Sequence, residues 1–221
     1  KRSLAFQDSA VMDVIRNHTR EAGVRELERQ LATIIRKITR KLVESSSTKT
    51  IIVGKDAVET YLGPIKFTYD VAEQKDEIGR ATGLAWTPVG GDLINIEAIR
   101  MPGTGKLILT GQLGIVMKES AQAALSWARA YAAHNGVKED LHKEDIHLHA
   151  PSGGVKKEGP SAGIAITTTL VSLFLKKPVR KEVAMTGEVT LRGKVLGIGG
   201  LKEKVLAAHR AGIKTVVAPF E

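Results

Sequence analysis

The chain is 221 residues long, 43% apolar and free of cysteine, so it can bury a core but lacks the thiols needed for disulfides, thiolate zinc sites or a cysteine nucleophile. Its formal charge of +9 is compatible with a polyanionic partner, yet aromatics make up only 4% of the residues, leaving few rings to stack on bases. The longest apolar run, 163–175, is interrupted by Thr167, Thr168, Thr169 and Ser172 and is too short to span a bilayer, so the expectation is a cytoplasmic or organelle-matrix protein without a membrane partner.

Ala10, Val11, Val14 and Ile15 follow Asp8 and Ser9 at helical spacing, which predicts a capped helix ending by Gly23. Leu27, Leu31, Ile34, Ile35, Ile38 and Leu42 then recur at three- and four-residue steps, a longer amphipathic helix that stops in ESSSTKT. Its basic residues, with those before it (Arg16, Arg20, Arg25, Arg29, Arg36, Lys37, Arg40, Lys41), fall on the solvent side. A short strand, TIIV, and a short helix through Val58 and Leu62 complete a small helical unit over 1–63. The stretch 64–79 mixes proline, charge and isolated aromatics without periodicity and reads as a linker.

From residue 80 the pattern changes. ATGLAWTPVGGDLINIEAIRM reads as two strands joined by a Gly90-Gly91 turn, KLILTGQ as a third, Val116 to His134 as an alanine-rich helix and DIHLHA as a strand. Ser161 to Leu175 reads as a helix, EVAMTGEVT and GKVLGI as strands, Leu201 to Gly212 as a helix and TVVAP as a last strand. The fold class is therefore α+β, a small helical subdomain followed by an α/β domain over 80–221. The chain stops at Phe220-Glu221, directly after an apolar strand, which points to a piece of a longer protein.

Three motifs promise more than their spacing supports. PGTGKL lacks both the earlier glycine and the Ser or Thr after lysine that a phosphate loop needs, since Arg100 and Leu107 stand there; a hairpin turn is the simpler reading. His147 and His149 share one strand face, but without a third ligand at sensible spacing they read as packing or hydrogen-bonding residues. LGIGGLKEK has Lys202 where a dinucleotide fingerprint needs its third glycine, so a helix-entry turn suffices.

Gly159-Pro160-Ser161-Ala162-Gly163 has the G-x-S-x-G form of a nucleophile elbow, but the residues before it do not form the required strand. A triad would have to draw on Glu182, Glu188 or Glu203 and then His209. A lysine is the other candidate base, because a lysine stripped of water enough to lose its proton can serve. Lys202 and Lys204 both open the apolar helix VLAAHRAGI; Lys204 neighbours a Leu201–Val205 face, whereas Lys202 and Glu203 face water. Spacing alone also permits two solvated lysines and a Ser161 that merely caps its helix.

The resemblance is more specific. EGPSAGIA and PVRKEVAMTGEVTLRGKVLGIGGLKEKVLAAHRAGIKTVVAP closely resemble the proteolytic domain of the Lon family of ATP-dependent proteases. The similarity extends upstream through TGLAWTPVGGDLINIEA, PGTGKLILTGQLGIVMKESAQAA and DIHLHAPSG, while HTREAGVRELERQL resembles the end of the family's ATPase module, its small helical subdomain. The resemblance implies a Ser-Lys dyad of Ser161 and Lys204, the second lysine of GLKEK, with Thr186 of MTGE holding the lysine. It implies an oxyanion site at the backbone N–H groups of Ser161 and Ala162, and an acid at Glu158, where relatives often carry Asp, that adjusts the lysine or gates the site. Arg25 matches the sensor arginine that touches ATP. The protease domain itself is expected to bind no cofactor or metal; ATP and Mg belong to the full-length protein, a homohexamer acting on unfolded polypeptides in the cytoplasm, or in the mitochondrial matrix of a eukaryote. A DNA-binding module on the basic helices and an inactive peptidase fold are the alternatives. The pattern departs from relatives at Ala150-Pro151-Ser152-Gly153, which lacks a frequent Glu, and at Lys156 and Gly197, where proline is common.

Overall fold

The computed structural model describes residues 4–45, 50–67, 75–151 and 156–220. It divides into two compact units, Lys1–Tyr69 and Asp70–Glu221. The middle of the expected linker, 68–74, lies outside the described residues, as do Ser152 and Gly153.

In the first unit, α1 (Asp8–His18), α2 (Arg25–Glu44) and α3 (Lys55–Leu62) pack around Ala10, Val14, Ile34, Ile38 and Val58, all fully buried. The apolar stripe of α2 falls inward as its spacing requires, and the eight basic residues named above are all exposed. The unit also carries a two-stranded parallel sheet, β1 (Leu4–Phe6) beside β2 (Ile51–Val53). Two end details differ from expectation. Neither Asp8 nor Ser9 caps α1; Gln7 holds the cap position without a side-chain bond and Asp8 lies in the first turn. The helix stops at His18 rather than Gly23, because the chain must free Glu21 to cap α2: its carboxylate accepts from the Glu26 and Leu27 amides at 2.8 and 2.9 Å. Lys66 and Phe67 amides donate to the Asn17 carbonyl, so the chain stays attached to this unit past residue 63.

The second unit is built on a six-stranded mixed sheet. Its strands are β3 (Arg80–Thr87), β4 (Gly90–Pro102), β5 (Leu107–Thr110), β6 (Glu144–His149), β7 (Val183–Met185) and β10 (Thr215–Val217), in the spatial order β10-β7-β3-β4-β6-β5. A two-stranded ribbon, β8 (Glu188–Val189) with β9 (Val195–Leu196), stands apart. Helices α4 (Ile115–His134) and α5 (Gly163–Leu175) bury an apolar face with Ile96, Ile146 and Leu148. The buried positions of α4 include Ala121, Ala124, Ala128 and Ala132, small residues that let the α5 backbone come near. The hydroxyls inside α5 are satisfied locally: Thr167 and Thr169 donate to the Gly163 and Ala165 carbonyls at 2.8 and 2.9 Å. On the opposite face α6 (Leu201–Arg210) packs through Ala207 and Ala208 against Leu84, Leu93 and Ala184. All three β7 residues are buried, as a strand covered on both faces requires.

Two turns differ from the sequence reading, both because strand pairing is not local. Thr87 pairs with Gly90 and Trp86 with Gly91, so the β3–β4 turn is Pro88-Val89 and the glycines lie in the ladder. Gly91 is needed there for another reason: a β-carbon would overlap the Glu203 carbonyl of α6 and stand 3.0 Å from the Ala207 side chain. PGTGKL is no hairpin turn either, because β6 lies between β4 and β5. The loop crosses over the start of β6, and its Thr104 and Lys106 amides both donate to the Asp145 carboxylate at 2.8 Å. The turn does bind an anion, but a side chain of its own chain.

The approach of α6 at Gly91 gives a direct test. Gly91→Ala forces α6 off β4, and an expected loss of about 2 kcal/mol corresponds to a thermal midpoint lower by roughly 5 °C. An unchanged midpoint would mean that α6 is free to shift.

Candidate active site

A pocket of about 530 Å³ opens where the β3–β4 hairpin, the start of α4, the turn before α5 and the start of α6 converge. Ser161, Ala162 and Lys204 line it, with Glu158 and Pro160, and its apolar wall is Ala85, Trp86, Ile94, Met117 and Ile198. Thus four of the residues singled out in the sequence meet in one cavity, three from the loop before α5 and Lys204 from α6.

Ser161 is not inside α5. It sits in the turn 159–162, one residue before the Ala162 cap position, and Gly163 is the first helical residue. The cap residue makes no side-chain bond, so capping does not explain Ser161. The turn is closed by the Gly163 amide donating to the Pro160 carbonyl at 2.9 Å, and the Ser161 carbonyl accepts from the Gly187 amide at 2.8 Å. Among the described residues, the Ser161 and Ala162 amides donate to no backbone carbonyl. Gly163 admits the packing around it: a β-carbon there would stand 2.9 Å from the Val189 amide nitrogen and 3.0 Å from Ser120 Oγ. That Ser120 oxygen is itself buried and has no partner among the described residues.

Lys204 is 1% exposed. It enters from the first turn of α6, after Gly200, whose φ of +70° sets the helix entry. The α6 face was only half legible. Leu201 and Val205 are 42% and 41% exposed, and Lys204 shares its buried face with Ala207, Ala208 and Ala211. Contact at Gly91 brings the helix backbone so near β4 that only small side chains fit beneath it, and the larger apolar residues turn outward. Lys202 is exposed.

Among the described residues the buried amine has one hydrogen bond, donated by Nζ to Thr186 Oγ1 at 3.1 Å. Thr186, fully buried at the end of β7, donates in turn to the Ser161 carbonyl at 3.2 Å. It therefore links the lysine to the serine turn. Desolvation by burial pulls the Lys204 pKa below the ordinary lysine value.

Glu158 points elsewhere. Its Oε1 accepts from the Val116 amide at 3.1 Å, and Lys156 lies 3.5 Å from Oε2. Desolvation raises its pKa, but the Gly159 and Val116 amides and Lys156 outweigh it and leave the carboxyl below the usual range. Arg25 is the exposed first residue of α2 in the other unit. His209, the only partner available for a downstream triad, is exposed and does not line the pocket. His147 and His149 line a second cavity of about 530 Å³ together with Glu97, Ile99 and Thr110. Thr110 Oγ1 lies between them, 2.9 Å from His147 Nε2 and 2.7 Å from His149 Nδ1. Among the described residues no group of three potential ligands could hold a metal, and no helix is long and apolar enough to cross a membrane. Sequence reading missed Gly91, Gly114 and Val116; only Gly91, in a Gly-Gly pair, carried a local signal.

Comparison with known proteins gives the same assignment along the whole chain. Residues 52–221 match the model of the Lon protease (S16) C-terminal proteolytic domain, and residues 1–51 that of the Lon protease AAA+ ATPase lid domain. The boundary between the two models falls inside the first compact unit, at β2. The chain is similar to Lon protease of Dictyoglomus thermophilum (53% identical over 100% of this chain) and of Escherichia coli K12 (54% over 100%). It is also similar to Lon protease 1 of Bacillus subtilis (53% over 99%). In each case the match covers 28% of the relative's length, so the chain spans little more than a quarter of the curated relatives it matches. With a lysine buried beside a serine turn and both family models accounting for the chain from end to end, this protein belongs to the Lon protease family.

Proposed function

We propose that the second unit is the peptidase centre of an ATP-dependent serine endopeptidase acting on unfolded polypeptides. The observation that carries this reading is Lys204: a lysine stripped of water, held by Thr186, in the wall of a pocket that contains a serine hydroxyl. Ser161 Oγ attacks the peptide carbonyl while neutral Lys204 Nζ takes its proton. The Ser161 and Ala162 N–H groups stabilise the oxyanion, and Lys204 returns the proton to the leaving amine. Water, deprotonated by the same amine, then hydrolyses the acyl-enzyme and regenerates Ser161.

The substrate lies extended along β3. That strand pairs with β4 over its whole length but with β7 only at Thr82 and Gly83, so beyond Gly83 one edge is available where Ala85 and Trp86 face the pocket. Backbone pairing there accepts many sequences. Nucleotide chemistry belongs outside this chain. The PGTGKL nest is filled by Asp145, so no site for ATP and Mg is assigned here beyond a contact from Arg25 in the assembled protein. We assign the full-length protein to the cytoplasm as a homohexamer. The exposed basic residues of α1 and α2 support a second role, salt-sensitive DNA binding.

Casein cleavage by the full-length protein tests the dyad. Ser161→Ala and Lys204→Ala should each lower the rate by a factor on the order of a thousand or more, Thr186→Val by less, and Lys202→Ala not at all. Activity surviving Lys204→Ala would sink the lysine-base mechanism.

Burial of Lys204 also has a stability cost with a defined pH dependence. Its folded-state pKa lies below the unfolded value, so between the two the unfolded chain binds the additional proton and stability rises with pH; below the folded value the penalty is full. Lys204→Met should therefore be more stable than the parent in urea, with a gain largest below the depressed folded-state pKa and shrinking as pH rises toward the ordinary lysine range. A gain that does not change with pH would contradict this.

A further inference from the structure

Glu158 holds the serine turn against α4 through a gap that only glycine leaves. Gly114, the cap residue of α4, has no side chain to bond the first turn, and the Glu158 carboxylate takes that role from 42 residues away by accepting the Val116 amide. It lies directly over Gly114, where a β-carbon would overlap both carboxylate oxygens. The preceding residue extends the attachment. Lys157 N–H donates to the Gln112 carbonyl at 3.1 Å, its own carbonyl accepts from the Gly114 amide at 2.8 Å, and its ammonium reaches the Gly111 carbonyl at 3.0 Å. Two residues after Glu158 the chain has entered the Pro160–Gly163 turn that carries Ser161. An acid bound to a helix N-terminus is favoured by the free amides and the dipole, so the contact is attractive on both counts.

We propose that Gly114 and Glu158 are a positioning pair for the reaction: Gly114 provides the space and the first turn of α4 the amide, and Glu158 fixes the serine turn between that anchor and the Thr186–Gly187 anchor on its other side. Neither residue touches the reacting atoms. The role differs from tuning Lys204, whose lowered pKa comes from burial, and it rests on Ser161 being the nucleophile.

The test uses the full-length protein with Glu158→Ala, Glu158→Gln, Gly114→Ala and the double variant Gly114→Ala/Glu158→Ala, each checked for an intact thermal transition. Two quantities are followed: hydrogen exchange at the hydrogen-bonded Val116, Gly159, Gly163 and Gly187 amides, and the rate at which a peptidyl phosphonate labels Ser161. The expected result is faster exchange at all four amides in Glu158→Ala and Gly114→Ala, with labelling slowed roughly ten- to a hundredfold. Glu158→Gln, which keeps an acceptor oxygen, should recover most of the labelling, and the double variant should be no slower than Glu158→Ala alone, because the glycine matters only through the carboxylate. A merely structural role predicts neither the rescue nor the non-additivity. Unchanged exchange, unchanged labelling despite faster exchange, or additive losses would each overturn the pair. If the parent protein is not labelled at all, the nucleophile assignment fails instead, and exchange at Gly159, Gly163 and Gly187 alone decides whether the pair holds the turn.

Discussion

The interaction on which the second unit depends is the burial of one amine. Lys204 is 1% exposed and among the described residues has a single hydrogen-bond partner, Thr186; a charge in that position is costly, which lowers its pKa. Keeping it dry requires α6 to lie almost on β4. Gly91 allows that contact, Ala207 and Ala208 fill the narrow space beneath the helix, and the Arg210 guanidinium donates to the Gly91 carbonyl at 2.9 Å. The β3–β4 pairing fixes where Gly91 stands and therefore where Lys204 enters. A register shift that moved Asp92 into the place of Gly91 would put a side chain where the helix backbone must pass.

The serine is held by a different set of constraints that end at the same threonine. Thr186 accepts from the lysine and donates to the Ser161 carbonyl, and the next residue, Gly187, donates its amide to that carbonyl as well. The end of β7 thus fixes the distance between the amine and the turn, while α4 fixes the turn's other side. Two rigid elements with their own cores determine the position of a residue that has no regular secondary structure itself. This is the arrangement expected where geometry has to hold within fractions of an ångström, and it explains why small residues gather there: Gly114, Gly163 and Gly91 each admit a backbone or a carboxylate at a distance a side chain would prevent.

The helices were legible in the sequence because their burial follows from local periodicity. Ile34, Ile38 and Leu42 of α2 predict the buried face and occupy it. The same reasoning misjudged α6, where Leu201 and Val205 are more exposed than the lysine beside them; what lies beneath the helix is decided by a strand more than 100 residues earlier, not by hydrophobicity. Strand existence was likewise readable and strand order was not. PGTGKL reads as a hairpin only if β4 and β5 are neighbours, and β6 separates them. Ser161 and Lys204 were assigned through the resemblance, since spacing left two lysines and a helix cap open; the structure brings Ser161 and Lys204 to one pocket and leaves Lys202 in solvent. The partner of Glu158 could not have been read at all, because it is a main-chain amide whose position depends on the tertiary fold.

The PGTGKL turn and the strand histidines, which promise a ligand in the sequence, have one physical feature in common: polar groups that would meet a ligand have partners within the protein. The amides of the PGTGKL turn face the Asp145 carboxylate, which those hydrogen bonds hold below the usual aspartate range. The two strand histidines share Thr110. A hydroxyl has one proton, so it can donate to one ring while the other ring donates to it, and one nitrogen of each imidazole is partnered by Thr110. The turn before α5 is different. Its Ser161 and Ala162 amides have no backbone acceptor among the described residues, although the turn around them is fixed from both sides. Rigid donors left open beside a pocket have no reorganisation to undergo when a negative charge forms there, and this property, more than the serine itself, supports the proposed role of the turn.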